Sequence, residues 1–570
     1  MKFMETYRRW LEHTGGNGSI QAELRAMEGD ESAIEDCFYR ELEFGTGGLR
    51  GVLGAGTNRM NVYTVGKATQ GYSNYLKSRF EAPSVAIGYD SRINSSLFAR
   101  TAAAIFAANG IQVYLYPRLM PTPALSFAVR DLGCSGGVVI TASHNPAKYN
   151  GYKVYGADGC QITTEAAGAI QREIDGVDPF DHVQQPDFQS QLDAGRIAYI
   201  GEDTVDRYLA AVGSASVLPP QISRRVSIVY TPLNGAGISC VPRCLGEHGF
   251  TDITIPDEQK DPDGNFPTCP YPNPEIRQAL DVGLAWAEKT GSDLLLATDP
   301  DCDRVGAAVK GPEGYVLITG NEMGVLLLDF ICKMRQAAGT LPENPVAVKT
   351  IVTTPMAARV AAHYGVELRD VLTGFKFIGE QIGLLEQAGE AGRYVFGFEE
   401  SYGYLSGSFV RDKDGVNASL LICEMFAWYQ AQGRSLLDVL GELYERYGCY
   451  QSRLLTFAFE GSGGFAPMQA PMAGLRETPP GEIAGYAVEA VGDYQQSVLT
   501  RRDGTQEEIR LPRSNVLRFF LSGGLEAVVR PSGTEPKLKV YITAVGAGLP
   551  ASSAAADRLA EYFAHWADGK

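Results

Sequence analysis

A chain of 570 residues exceeds what one hydrophobic core sustains, and at roughly 150 residues per domain it predicts about four domains. A hydrophobic share of 45% beside a charged share of 21% excludes disordered, fibrous and coiled-coil classes. The net charge of -17 argues against nucleic acid and against an anionic membrane surface, so an anionic substrate would need a local cluster of cations.

In chain order, MKFMETYRRWLEH (1–13) predicts a charged amphipathic helix lacking the apolar centre of a signal peptide. No run reaches the length of about 18 apolar residues that spans a bilayer. The ten cysteines form no CxxC pair and read as reduced, buried thiols, so a cytoplasmic location is expected. A strand at 84–90, an alanine-rich helix at 95–109, a strand at 112–116, a helix at 123–131 and an apolar strand at 136–140 then make a βαβαβ unit. It ends on TASHNP (141–146), where Pro146 biases Asn145 away from helix and the turn presents Ser143 and His144 at the strand's carboxyl end. Taken alone, that pair reads first as a satisfied loop serine beside an ordinary surface histidine.

A second unit runs through a strand at 226–230, a helix at 236–248, a strand at 252–255, a helix at 274–289 and a strand at 293–297. It closes on TDPDCDR (298–304), where Asp299, Asp301 and Asp303 recur at every second position. So close together, three carboxylates repel unless a cation holds them; hard oxygens suit Mg²⁺, whereas the soft Cys302 does not. Arg304 and Lys310 stand where an EF-hand needs glycine and glutamate, which excludes that motif. A solvated acidic loop is the plain alternative.

The third unit has a strand at 346–352, a helix at 355–363, a strand at 367–371, a helix at 376–387 and a strand at 394–397, closing on FEESYG (398–403). Glu399 and Ser401 there suit sugar hydroxyls, and a helix N-cap would use the same residue types. Two helices follow over 417–447. Beyond 450, short alternating strands and a closing helix at 553–566 indicate a smaller α+β domain. Its loop RPSGTEPK (530–537) offers Arg530, Ser532, Gly533 and Thr534 as an oxyanion nest. GTGGLRG (45–51) with Arg50, TGFKFIG (373–379) and RDKDG (411–415) each fit an ordinary turn or helix start by themselves. Linkers are expected near 201–208, 311–316 and 447–455, which divides the chain into 1–204, 205–315, 316–449 and 450–570.

Taken together and in this order, these loops resemble those of the α-D-phosphohexomutase superfamily, over residues 45–541. NGYKVY (150–155), TGFKFIG and LPRSNVL (511–517) are most similar to the branch with bacterial α-phosphoglucomutases and the phosphoglucomutase-2 and phosphopentomutase type. The resemblance implies three consecutive mixed or parallel-sheet α/β domains of similar topology plus a C-terminal α+β domain, around a central cleft. It implies Ser143 as phosphoryl carrier with His144 supporting its loop, and one Mg²⁺ on Asp299, Asp301, Asp303 and a phosphoserine oxygen. Arg50, Lys153 and Arg304 would surround the phosphoryl group with positive charge. Thr373, Gly374, Glu399 and Ser401 would hold the sugar, and Arg530, Ser532, Gly533 and Thr534 the other phosphate.

The implied reaction interconverts glucose 1-phosphate and glucose 6-phosphate through glucose 1,6-bisphosphate, with sugar phosphates as the only partners of a monomer or weak homodimer. Phosphopentomutase and phosphomannomutase are the alternatives within the superfamily. Outside it stand a sugar-phosphate phosphatase, because LLLATDPDCD has a strand followed by D-x-D, and a non-enzymatic sugar-phosphate sensor. Phosphomannomutase-like members carry GEMSGH, whereas Tyr402 and Gly403 follow Ser401 here. Proton transfer then passes to Lys413, whose ordinary pKa of about 10.4 would have to be lowered by Arg411 or the metal.

Overall fold

The computed structural model describes residues 2–45, 47–184, 186–459, 465–532 and 537–567. Among them, four separate sheets follow one another along the chain. In the first, Ser84–Tyr89 lies between Gly136–Ile140 and Gln112–Leu115, all parallel, with Ile197–Tyr199 parallel at one edge. Tyr149–Gly156 then returns antiparallel to Gly136–Ile140, and Gly48–Val52 pairs antiparallel with it at the other edge. The central strand residues 136–140 are all buried, as a parallel strand covered by helices on both faces must be.

The second and third sheets repeat this plan in shorter form. Leu294–Thr298 is parallel to Ile228–Thr231 and antiparallel to the returning strand Val305–Gly311. Tyr394–Glu399 is parallel to Val346–Thr350 and antiparallel to the returning strand Gly403–Leu405. In all three units the candidate loop is therefore a hairpin turn joining the last parallel strand to an antiparallel partner. Each turn carries one non-glycine residue in left-handed backbone: Ser143 (φ 51°), Cys302 (φ 53°) and Tyr402 (φ 66°). That conformation costs an L-residue roughly 1–2 kcal/mol, so it persists only where neighbours over-determine it.

The expected elements are present with ends moved by at most four residues, apart from the helix expected at 236–248. It divides into a 3₁₀ turn, Ala236–Ser239, and a helix, Val241–Glu247, because Pro242 has no N–H to bond backwards and is tolerated only in a helix's first turn. The segments expected as linkers are regular structure: 201–208 enters the helix Glu202–Ser214, 311–316 turns the hairpin of Val305–Gly311 and Gly314–Ile318, and 447–455 enters the strand Cys449–Ala458.

The fourth sheet is antiparallel, with Cys449–Ala458, Lys537–Gly546, Leu525–Pro531, Leu517–Leu521 and Tyr486–Asp493 in spatial order. The helix Leu549–Ala567 packs Leu559 and Phe563 into its core. Ile351, Val352 and Leu372 of the third unit pack with Tyr494, Val516, Val528 and Tyr541 of the fourth, so the two share an apolar seam. No described helix is long and apolar enough to cross a membrane.

Candidate active site

The hairpin turns of the first three units converge on one cleft of about 490 Å³, to which the fourth unit adds Leu454, Arg530, Ser532, Lys539 and Tyr541. Ser143 enters from the first turn, its N–H bonded to Thr141 Oγ1 at 2.8 Å. Its hydroxyl donates to Asp299 Oδ2 at 2.8 Å, a contact between residues of different units, and lies 3.2 Å from His144 Nδ1. Burial and then the positive charges of Arg304 and Arg50 push the His144 pKa well below its ordinary value, so the imidazole is neutral at pH 7. A neutral ring at that distance suits the supporting role expected of it.

Asp299, Asp301 and Asp303 are buried, with one carboxylate oxygen of each within 4.8 Å of the others. Burial, and then the charges of Asp301 and Asp303, hold the Asp299 carboxyl well above its usual range. Burial pushes Asp301 upward too, but Lys153 outweighs it, at 2.8 Å from Asp301 Oδ2 and 3.3 Å from Asp303 Oδ2, and the Asp301 pKa falls. Asp303 falls likewise: burial and Asp301 raise it, and Lys413, Lys153 and Arg304 together prevail. Even so, Asp301 Oδ1 and Asp303 Oδ1 are buried without a hydrogen-bond partner. Buried carboxylate oxygens without a hydrogen bond are costly unless a cation takes them up, so the donor set fits a hard divalent ion. Cys302 turns away, its sulfur against Gly237 and Gly415.

From the third unit, Glu399 Oε1 accepts from the Gly374 N–H at 2.9 Å. Burial raises the Glu399 pKa to about 7 against the opposing pull of Lys413. Thr373, Gly374 and Ser401 line the same wall, and the Thr373 hydroxyl is buried without a partner. Gly403 leaves room for Lys413, since a Cβ there would stand 2.6 Å from Lys413 Cδ. Lys413 Nζ pairs with Asp303 Oδ2 at 2.8 Å and Asp412 Oδ1 at 3.4 Å. The expected lowering of its pKa is reversed: burial pulls it down, but Asp303, Asp412 and Glu399 push it further up. Arg411, expected to crowd it, instead pairs with Glu386.

Arg50 reaches the cleft from Gly48–Val52, where Gly48 (φ 131°) lets the backbones touch; a Cβ there would lie 1.9 Å from the Tyr152 carbonyl oxygen. Arg304 lines the opposite side, paired with Glu275 and 3.9 Å from Asp303 Oδ1. Of the phosphate loop, Arg530 and Ser532 face the cleft, while Gly533 and Thr534 lie outside the described residues.

Several cleft residues escaped the sequence reading. Lys539 stands directly across from Arg530 in the strand pair, as the alternation in KLKVY would have indicated. Glu275 and Asn273 come from an irregular segment with no period to betray them. Lys376, inside TGFKFIG, lines the cleft, and burial lowers its pKa, partly opposed by Cys160 and Glu380.

The chain matches three family descriptions: "Phosphoglucomutase/phosphomannomutase, alpha/beta/alpha domain I" over 41–179, domain II over 206–314 and domain III over 319–447. The chain belongs to the phosphoglucomutase/phosphomannomutase family. It is 36% identical over 538 residues to a phosphoglucomutase of Staphylococcus aureus (strain USA300), covering 94% of both chains. Against the phosphoglucomutase of the bovine strain RF122 / ET3-1 it is 37% identical over 540 residues, again 94% of each. The fold of family members recurs in a putative phosphomannomutase from Thermus thermophilus, with a TM-score of 0.68, 23% identity, and coverage of 93% of this chain and 99% of that one. It recurs too in the open form of pp63/parafusin, a phosphoglucomutase from Paramecium, with a TM-score of 0.66, 18% identity, and coverage of 92% and 95%.

Proposed function

We propose that this protein is a phosphoglucomutase, an intramolecular phosphotransferase interconverting α-D-glucose 1-phosphate and glucose 6-phosphate through a phosphoserine at 143. The observation that carries the reading is the 2.8 Å contact of Ser143 Oγ with Asp299, a serine hydroxyl brought against a buried carboxylate triad from another unit. Identity of 36% to a phosphoglucomutase across nearly the whole chain supports the same reaction. Four units, 1–204, 205–315, 316–449 and 450–570, each contribute residues to the cleft.

Phospho-Ser143 donates its phosphoryl group to the free hydroxyl of the bound sugar phosphate. The Ser143 O–P bond breaks as the new O–P bond forms; the sugar hydroxyl loses its proton to a base and the freed Ser143 Oγ takes up a proton. The glucose 1,6-bisphosphate so made turns over and returns its other phosphate to Ser143; the same compound serves as primer. Arg530, Ser532, Gly533 and Thr534 hold the phosphate that does not react, with Lys539 adding charge beside Arg530. Thr373, Gly374, Glu399 and Ser401 grip the sugar hydroxyls. Arg50, Lys153 and Arg304 offset the charge on the moving group, the main requirement of phosphoryl transfer.

Asp299, Asp301, Asp303 and the Ser143 oxygen would hold Mg²⁺, which neutralises charge on the phosphoryl oxygens when bound. Lys413 acts as a fixed cation, since its partners favour the charged amine. Lys376 also lines the cleft, and burial makes its amine easier to deprotonate than that of Lys413. A cytoplasmic setting agrees with ten cysteines that form no disulfide.

The test is interconversion by the purified protein with Mg²⁺ and a bisphosphate primer. Glucose 1-phosphate is expected to exceed mannose, glucosamine and ribose 1-phosphates in kcat/KM, and Ser143→Ala to abolish turnover. Near-normal turnover by the alanine variant sinks the phosphoserine; a preference for ribose makes the protein a phosphopentomutase.

A further inference from the structure

Ser143 sits in left-handed backbone, and the buried pair that anchors it, Asp90 and Arg92, lies outside the TASHNP turn. Arg92 follows the strand Ser84–Tyr89 and its side chain is fully buried. Its guanidinium donates to the backbone carbonyls of Ser143 and Asn145, and to those of Pro146 and Tyr149 at 3.0 and 3.1 Å. Arg92 Nε lies 3.4 Å from Asp90 Oδ2. Asp90 in turn accepts from Thr141 Oγ1 at 2.6 Å, and Thr141 Oγ1 accepts the Ser143 N–H at 2.8 Å. Both backbone polar groups of Ser143 are thereby anchored to one buried Asp–Arg pair. A planar fork with five donors can hold four carbonyls in fixed relation, which a lysine cannot.

The other face of Arg92 belongs to the second unit. The Phe266 ring lies 5.1 Å from the Arg92 guanidinium carbon, and the Gly264 backbone rests on Ile93, where a Cβ would meet the Ile93 nitrogen at 2.4 Å. Residues 261–266 are tied to Asn234, which donates from Nδ2 to the Asp261 carbonyl at 2.8 Å and accepts the Asp263 N–H at 3.1 Å. The next residues touch the aspartate loop: the Ala236 N–H donates to the Pro300 carbonyl at 2.7 Å, and a Cβ on Gly235 would stand 2.4 Å from Pro300 Cα. Packed contacts thus run without a break from the Ser143 carbonyl through Arg92, Phe266 and Asn234 to the residue between Asp299 and Asp301.

We propose that Arg92 and Phe266 are positioning residues for phosphoryl transfer: together they set the Ser143 turn in register with the aspartate loop of the next unit. The inference rests on the reading of Ser143 as phosphoryl carrier. Neither residue lines the cleft, and on the proposed reading the sugar's phosphate and hydroxyls are met by the third and fourth units. Loss of either should therefore slow transfer and leave substrate affinity largely intact. Displacing reacting groups by about 1 Å costs on the order of 100-fold in rate.

Purified wild type, Ser143→Ala, Arg92→Lys and Phe266→Ala are charged with glucose 1,6-bisphosphate in Mg²⁺. Intact-mass spectrometry gives the fraction phosphorylated, and rapid quench gives the rate of transfer to glucose 1-phosphate per phosphorylated site. Wild type taking up no phosphoryl group, or Ser143→Ala taking up as much, overturns the phosphoserine reading itself. With those controls sound, Arg92→Lys is expected to transfer about 100-fold more slowly per site and Phe266→Ala about 10-fold, each with KM within about threefold of wild type. A merely structural role would lower the phosphorylated fraction and leave the per-site rate alone. Per-site rates within threefold of wild type in the folded variants overturn the proposal, and should Arg92→Lys fail to fold, Phe266→Ala decides it.

Discussion

Glu399 makes the site responsive to pH near neutrality. Burial lifts its pKa to about 7, so between pH 6 and 8 it passes from a neutral acid to a carboxylate able to accept from sugar hydroxyls as well as from the Gly374 N–H. The KM for glucose 1-phosphate is therefore expected to fall as pH rises through 7, once the substrate's own phosphate ionisation is allowed for. Glu399→Gln should hold KM flat across that range and leave it higher by about 10-fold, the worth of one charge-assisted hydrogen bond. A steady-state pH series on both proteins checks this; a parallel slope in the variant assigns the titration elsewhere. Ser143 and the aspartate triad were legible because their chemistry is concentrated in six or seven consecutive residues. Arg92, Glu275 and Lys539 were not, because each acts across the fold on a partner that no local pattern names. The direction of the Lys413 pKa was misjudged for the same reason: Asp303 lies in another unit, and only the fold sets it at 2.8 Å.

At the scale of elements, the helix Gly415–Gln430 begins on Asp414, whose carboxylate accepts from the Val416 and Asn417 N–H groups and from the Tyr208 hydroxyl. Burial raises its pKa from 3.8 to about 6 despite those bonds. The folded protein then binds a proton more tightly than the unfolded chain between these values. This group's contribution is fullest below about pH 4 and is lost as pH rises through 6, a change of about 3 kcal/mol at 1.36 kcal/mol per pH unit. Asp414→Asn keeps an acceptor at the cap and removes the titration, so its unfolding free energy should fall less than wild type's between pH 4.5 and 7 in denaturant melts. Equal slopes would count against it. The strands and helices with clean flanks were legible in the sequence. The returning strand of each unit was not, since Tyr149–Gly156 and Val305–Gly311 are buried on both faces and lack alternation. The helix Gly320–Ala337 escaped as well: it buries residues all the way round, and a helix without a polar face shows no stripe.

Across the whole molecule, the seat of the fourth unit is part apolar seam and part ion pair. Lys349 of the third sheet is 2% exposed and reaches Asp370 at 2.9 Å, while Arg518 of the fourth sheet lies 3.6 Å from Asp370 and 2.6 Å from Glu526. Asp370→Asn removes the counter-charge of buried Lys349; because Asp370 is itself 37% exposed, water screens the pair and the loss is about 1 kcal/mol. Because Arg530 and Lys539 sit on the unit so held, the variant should show KM for glucose 1-phosphate raised by about 5–10-fold, the equivalent of about 1–1.4 kcal/mol. Small-angle scattering should record a larger radius of gyration, and an unchanged radius with unchanged KM would mean that the apolar seam alone suffices. The plan of three related units and a different fourth was legible from repeated strand and helix spacing. The way the units face one another was not, because it depends on contacts such as this one between segments far apart in sequence.

The contact of Ser143 with Asp299 joins residues 156 positions apart, and the cleft is complete only when Arg530 and Lys539 have joined them. During synthesis at about 5–20 residues per second, the first unit can fold while its partners are still untranslated. On the reading of Ser143 as phosphoryl carrier, a product ended before residue 299 would present the serine without the carboxylate triad. Such a short product would lack the groups proposed to activate the serine, so it would yield no stray phosphoryl donor.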